Sequence, residues 1–192
     1  HAVGDDRRVD AVAHELPGGE ARALQKRACL VGDDRDALAG IHGAAYAFFQ
    51  WPEFGEMLGA CFARHPWNST ERIAVKIDEP GHPLVAAFGG CGFEIIDEGY
   101  QFKAPYSRAK VRVLLSLDTN RMDMKKTDLR SDGDFGLCWV KRYGEGRVFY
   151  SALGHNAEEF WNPQLLRHFL DGIQFALGDL PAETRPVAGR PN

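Results

Sequence analysis

The clearest hydrophobic pattern in this 192-residue chain lies near its end, in NPQLLRHFLDGIQFALG. Leu165, Leu166, Phe169, Leu170, Ile173 and Leu177 recur at helical spacing and predict one buried face. Asn162 stands where an N-cap is wanted, Pro163 in the first turn and Gly178 where a helix stops. Upstream the pattern becomes that of strands. RIAVKI (72–77) alternates, GFEIID (92–97) runs into two acids, and VRVLLSL (111–117) has the near-continuous apolar run of a buried strand. GLCWVKRY (136–143) and GRVFYSAL (146–153) pair across a Gly-containing hairpin link, Tyr143 to Arg147. Earlier, LAGIHGAA (38–45) reads as a short buried strand entering a tight turn. Pro52 then opens a helix on which Phe54, Met57, Leu58, Cys61 and Phe62 recur at helical spacing. EARALQKRACLV (20–31) predicts a further short helix. Residues 118–134 are a polar excursion of the kind that covers a site, and 181–192 read as a flexible tail.

Strands mixed with helices at both ends predict an α/β domain over residues 38–180, preceded by an atypical segment, 1–37, that is charged and weakly periodic. The length fits one domain with a full core. A hydrophobic fraction of 44% with 26% charged residues is that of a globular chain, and no apolar run is long enough to span a bilayer. The formal charge of -4 and scattered basic residues give no footprint for nucleic acid. Cys29, Cys61, Cys91 and Cys138 show no Cys-x-x-Cys spacing and read as separate reduced thiols. With no signal-peptide pattern, the expected compartment is the cytoplasm. The chain begins at His1 rather than Met, which fits either a removed leader or an internal fragment.

The candidate chemistry is histidine and carboxylate chemistry. His42 sits between Gly-Ile and Gly-Ala pairs, the small-residue frame of a sharp strand-to-helix turn. His155 follows a strand directly, where open α/β sheets bind ligands. Each is a candidate acid/base group or metal ligand; the alternative is a ring that only pins its turn. His65 and His82 precede Pro and fit rigid turns as well as sites, while His168 lies on the last helix, partly exposed or packed. Asp97 and Glu98 at a strand end suit acid/base work or metal ligation; the alternative is a solvated loop pair or partners for a nearby Arg. Tyr100, Phe102 and Tyr106 offer an aromatic face of the kind sugars stack on, or simple packing. No Gly-x-Ser-x-Gly or Gly-x-Cys-x-Gly elbow is present, nor a phosphate-binding Gly-rich loop.

GIHGA, WPEFGEMLGACFARHPW, HPL, DEGYQF, VLLSLD, DFGLCWVKRYGEGRVFYSALGH and LLRHFLDGIQFALG resemble, in that order, the trehalose-utilisation ThuA-like family over residues 38 to about 178. The resemblance implies a flavodoxin-like three-layer α/β sandwich related to class I glutamine amidotransferases, with the family's amino-terminal strands and helices unmatched by residues 1–37. In those relatives an elbow cysteine and a later histidine perform hydrolysis. Here His42 falls at the elbow and His155 at the triad histidine, so the thiol needed for a thioester is gone and glutaminase activity is not expected. The resemblance further implies a carbohydrate substrate and matches the polar positions His42, His65, His82, Asp97, Glu98, Tyr100, Asp134 and His155; of these, His42, His155 and Glu98 are the expected catalytic residues and His65, Asp97, Tyr100 and Asp134 the expected substrate contacts. His42 and His155 are the expected ligands if a divalent metal such as zinc is used. A homo-oligomer is the expected assembly. Two readings follow: an enzyme acting on a sugar or keto-sugar, or a non-catalytic sugar-binding or interaction module.

Overall fold

The structure, a computed structural model, describes residues 37–187. The expected helix at 20–31, nearly all of the atypical 1–37 segment and residues 188–192 lie outside the described residues. Eight strands run in chain order: β1 (Ala37–Ile41), β2 (Cys61–Trp67), β3 (Arg72–Ile77), β4 (Phe93–Ile96), β5 (Gly99–Lys103), β6 (Arg112–Leu117), β7 (Gly136–Tyr143) and β8 (Gly146–Ser151). Among the described residues, two α-helices, α1 (Pro52–Leu58) and α2 (Pro163–Leu177), accompany short 3-10 segments at His42–Tyr46, Pro83–Phe88, Thr119–Arg121 and Ala157–Trp161.

Six strands form one sheet in the order β1-β8-β7-β6-β3-β4, and β2 pairs with β5 in a second, two-stranded sheet. Only β1–β8 is parallel; the other pairs in the large sheet are antiparallel. Because the antiparallel partners alternate, β1, β8, β6 and β4 nevertheless point the same way, and their carboxyl ends share one end of the sheet.

Alternation along β8 divides the core into layers. Phe149 faces α2, where it meets the His168 ring, and α2 also packs on the Pro83–Phe88 segment through His168 Nδ1 and the Leu84 carbonyl. Tyr150 faces the other way, with Trp139, onto Phe102 of β5. Trp139 Nε1 also donates to the Leu58 carbonyl at the end of α1. The result is three layers: α2, the six-stranded sheet, and α1 with the small sheet, as expected for an α/β sandwich.

Several local expectations change. α1 stops at Leu58 because Gly59 adopts φ +93, so Cys61 and Phe62 belong to β2, not to the helix. On α2, Leu166 and Leu170 are exposed; the face against the sheet instead carries Leu165, His168, Phe169, Gly172, Phe175 and Ala176. His168 is fully buried, because Leu84 O and Ser151 Oγ supply both ring nitrogens with partners. Tyr100, Phe102 and Tyr106 are buried in the core, so they do not make an open stacking face. The first residues of the expected flexible tail are held to the body: His82 Nε2 meets Glu183 O at 3.0 Å, and Arg112 donates to Arg185 O.

Candidate active site

The polar cluster forms at the carboxyl ends of β1, β8 and β4. His42 follows β1 at once and adopts φ +42, a left-handed conformation that costs a non-glycine residue about 1–2 kcal/mol. Two bonds hold it there: the Tyr150 hydroxyl donates to His42 O at 2.8 Å, and His42 Nδ1 donates to Ala152 O at 2.7 Å. A carbonyl only accepts, so Nδ1 carries the proton and Nε2 of the neutral ring presents its lone pair. The frame glycine Gly40 lies so close to Leu58 that a Cβ would sit 2.8 Å from Cδ1.

His155 reaches the same point from β8. The turn between them needs Gly154, at φ +115, where a Cβ would also press on Ile41 at 3.2 Å. Asp97, fully buried after β4, holds this turn: its carboxylate accepts from the backbone N–H groups of Glu98 (2.7 Å), Gly154 (3.0 Å) and His155 (3.3 Å). One carboxylate thereby ties the end of β4 to the turn after β8, two strands that are not neighbours in the sheet.

The side chains converge on His42 Nε2. Tyr100 donates its hydroxyl to it at 2.8 Å, His155 Nδ1 lies at 3.0 Å and Glu98 Oε2 at 3.3 Å, with His155 Nδ1 and Glu98 Oε2 3.2 Å apart. The other Glu98 oxygen is 3.7 Å from Nδ1 of the exposed His65. Burial lowers the His42 pKa, against the opposing pull of the Ala152 bond and of Asp97 and Glu98, and favours the neutral ring. Burial, then the Glu98 and Asp97 charges, raise the Tyr100 pKa well above the ordinary phenol value, so it stays a donor. Glu159 is pushed up to about 8, chiefly by burial and then by Asp97, and so faces Asp97 as a neutral acid near pH 7.

Five of the seven expected site residues thus meet: His42, Glu98, Tyr100 and His155 at the centre and His65 at its rim, with Asp97 directly behind them as their anchor. Asp134 is elsewhere, accepting from Tyr106 at 3.0 Å and from Arg108 at 2.8 Å. His82 caps the Pro83–Phe88 segment and holds residue 183. Ala152, Tyr150 and Glu159 were not expected; of these only Glu159 had a local signal, the Asn156-x-x-Glu159 capping box.

The family profile described as "ThuA: Trehalose utilisation" matches residues 31–176, most of the chain. The chain belongs to the ThuA family. The match begins at residue 31, seven residues before the resemblance noted from residue 38. Among solved structures, the chain is similar to a ThuA-like protein of Bacteroides uniformis ATCC 8492, at 26% identity and a TM-score of 0.59 over 80% of this chain. It spans 61% of the length of that protein. A ThuA-like protein of Parabacteroides merdae ATCC 43184 shares the fold at 18% identity and a TM-score of 0.58, over 91% of this chain and 71% of the other. No curated protein matches significantly. Membership places the chain, at family level, in carbohydrate utilisation. Among the described residues no helix is long and apolar enough to cross a membrane.

Proposed function

We propose that this ThuA-family protein acts on a sugar or keto-sugar by proton transfer at His42, Glu98 and His155, without glutaminase activity. The observation that carries the reading is the mutual approach of His42 Nε2, His155 Nδ1 and Glu98 Oε2 within 3.0–3.3 Å at the carboxyl end of the sheet. A C–H bond next to a keto-sugar carbonyl is acidic enough for such groups to break. The neutral His42 takes the proton at Nε2, the bond electrons move onto the carbonyl oxygen, and the Tyr100 hydroxyl hydrogen-bonds to the oxyanion. Return of the proton to the opposite face of that carbon gives the epimer with no other reactant, and return to the same face shows only as exchange with solvent.

The surroundings support a sugar ligand. Phe62 meets Tyr100 at 4.6 Å between ring centroids and stacks on His65 at 5.9 Å, while the exposed Tyr46 packs edge-on against Phe62 at 5.4 Å. Such an apolar rim beside polar groups matches a sugar ring, which has apolar faces and a hydroxylated edge. None of the described cysteines, Cys61, Cys91 and Cys138, belongs to the His42–Glu98–His155 group, which speaks against a thioester at this cluster.

The test is deuterium incorporation into a keto derivative of trehalose in heavy water, followed by NMR. The expected result is exchange that falls ~100-fold or more in His42→Ala. Exchange no faster than in buffer, with sugar-dependent thermal stabilisation, would replace this reading with the binding-module one.

A further inference from the structure

We propose that His42 Nε2, His155 Nδ1 and Glu98 Oε2 are the three protein ligands of a divalent metal ion of the zinc class, held with an open coordination position. The inference rests on the reading of this cluster as the active centre and adds an ion to it; in the ion-loaded protein His42 Nε2 is a ligand, and the proton-accepting role passes to the second Glu98 oxygen, Oε1, beside His65.

The spacing of the three atoms is the first argument. Metal bonds of about 2.0–2.1 Å to nitrogen and oxygen place neighbouring ligand atoms roughly 2.9 Å apart in an octahedron and roughly 3.4 Å apart in a tetrahedron. The observed separations of 3.0, 3.2 and 3.3 Å fall inside that interval on all three edges. The three residues come from three separate chain segments, each fixed by backbone or carbonyl bonds that do not involve the other two side chains.

Hydrogen-bond arithmetic is the second. With Nδ1 committed to Ala152 O, His42 Nε2 has one lone pair, yet the Tyr100 hydroxyl, His155 Nδ1 and Glu98 Oε2 all stand within 3.3 Å of it. Protons satisfy only some of these contacts at a time. A cation at their common centre accepts both imidazole lone pairs and the carboxylate charge together.

The supporting contacts are those a metal centre needs. His42 donates its other ring proton to a backbone carbonyl, which fixes the ring with Nε2 outward. Glu98 has its second oxygen near His65, and its backbone is anchored by Asp97. The His155 side chain remains 40% exposed, so the cluster opens on one side, as a reactive rather than a purely structural site does. Two imidazoles and one carboxylate suit zinc and its first-row neighbours; magnesium and calcium prefer oxygen alone. A bound ion would polarise a sugar carbonyl.

The experiment uses the untagged full chain, stripped with chelator and checked by circular dichroism, then titrated calorimetrically with zinc chloride and with magnesium chloride. One equivalent of zinc should bind, magnesium should not compete, and His155→Ala and Glu98→Gln should each weaken zinc binding by about tenfold or more. His155 is exposed enough that its variant should fold even where His42→Ala does not. No zinc uptake by the folded protein, or uptake unchanged in both variants, overturns the inference. Stoichiometric zinc without proton exchange by the loaded protein would sustain the metal site and sink the proposed reaction. Exchange by stripped protein that takes up no zinc would do the reverse.

Discussion

His42 concentrates the local constraints of this protein in one residue. Its carbonyl and its Nδ1 are tied to β8 and to the turn after it, so two bonds hold the left-handed backbone in place and aim Nε2. Removing the Tyr150 hydroxyl should therefore affect the site more than the fold. Tyr150→Phe is expected to lose about 1 kcal/mol of unfolding free energy in urea and to lower proton exchange disproportionately, because an untethered carbonyl lets the elbow relax. Gly154→Ala imposes φ +115 on a side chain that also meets Ile41. It should cost about 1–3 kcal/mol by the same urea measurement and displace His155. The histidines and Glu98 were legible in the sequence because they sit where strands end. Their orientation was not, since it depends on Ala152 O and the Tyr150 hydroxyl, more than a hundred residues away from His42.

At the level of elements, hydrophobic periodicity identified five of the six strands of the large sheet outright, and the sixth, β1, as the strand entering the His42 turn. It failed for β2 and β5. β2 has no clean alternation of burial and pairs with β5 through two register shifts, so its apolar residues continue the helical spacing of α1. Gly59 separates the two elements. On α2 the apolar stripe is wider than the contact, and the sheet takes the side that presents His168, Gly172 and Phe175. The 3-10 turn at Ala157–Trp161 is closed by the Asn156–Glu159 box, and the Asn156 amide also donates to Ser69 O and Ile96 O. Asn156→Ala should lower stability by about 1–2 kcal/mol, measured by thermal or urea unfolding. It should also loosen the turn that carries His155.

On the scale of the whole molecule, His168 links α2 to β8 and to the Pro83–Phe88 segment, so its ionisation bears on the assembly of layers. Burial lowers its pKa to about 4; the Leu84 bond and Asp171, the charged group facing it, only partly oppose this. The unfolded chain therefore takes up a proton near pH 6.5 that the folded chain refuses until about pH 4. This contribution is fully present above pH 6.5 and is lost as pH falls towards 4, reaching about 3 kcal/mol. Urea unfolding at pH 7 and pH 5 should show wild type losing more on acidification than His168→Gln. Equal losses in the two proteins would show that His168 is not the group responsible.

The sequence alone determined the α/β character, the hairpin, both ends of the last helix and the family, because these follow from periods of two or 3.6 and from turn residues acting over short range. It also marked the histidines and carboxylates at strand ends as candidates for chemistry. Tertiary structure decided which of them meet. His42 and His155, 113 positions apart, are neighbours only because β1 lies parallel to β8. Glu98 joins them only because buried Asp97 binds the turn after β8. Asp134, as polar as any of these, is drawn away by Tyr106 and Arg108. Periodicity reports which face of an element is buried; convergence depends on how distant elements stack, which no local pattern encodes.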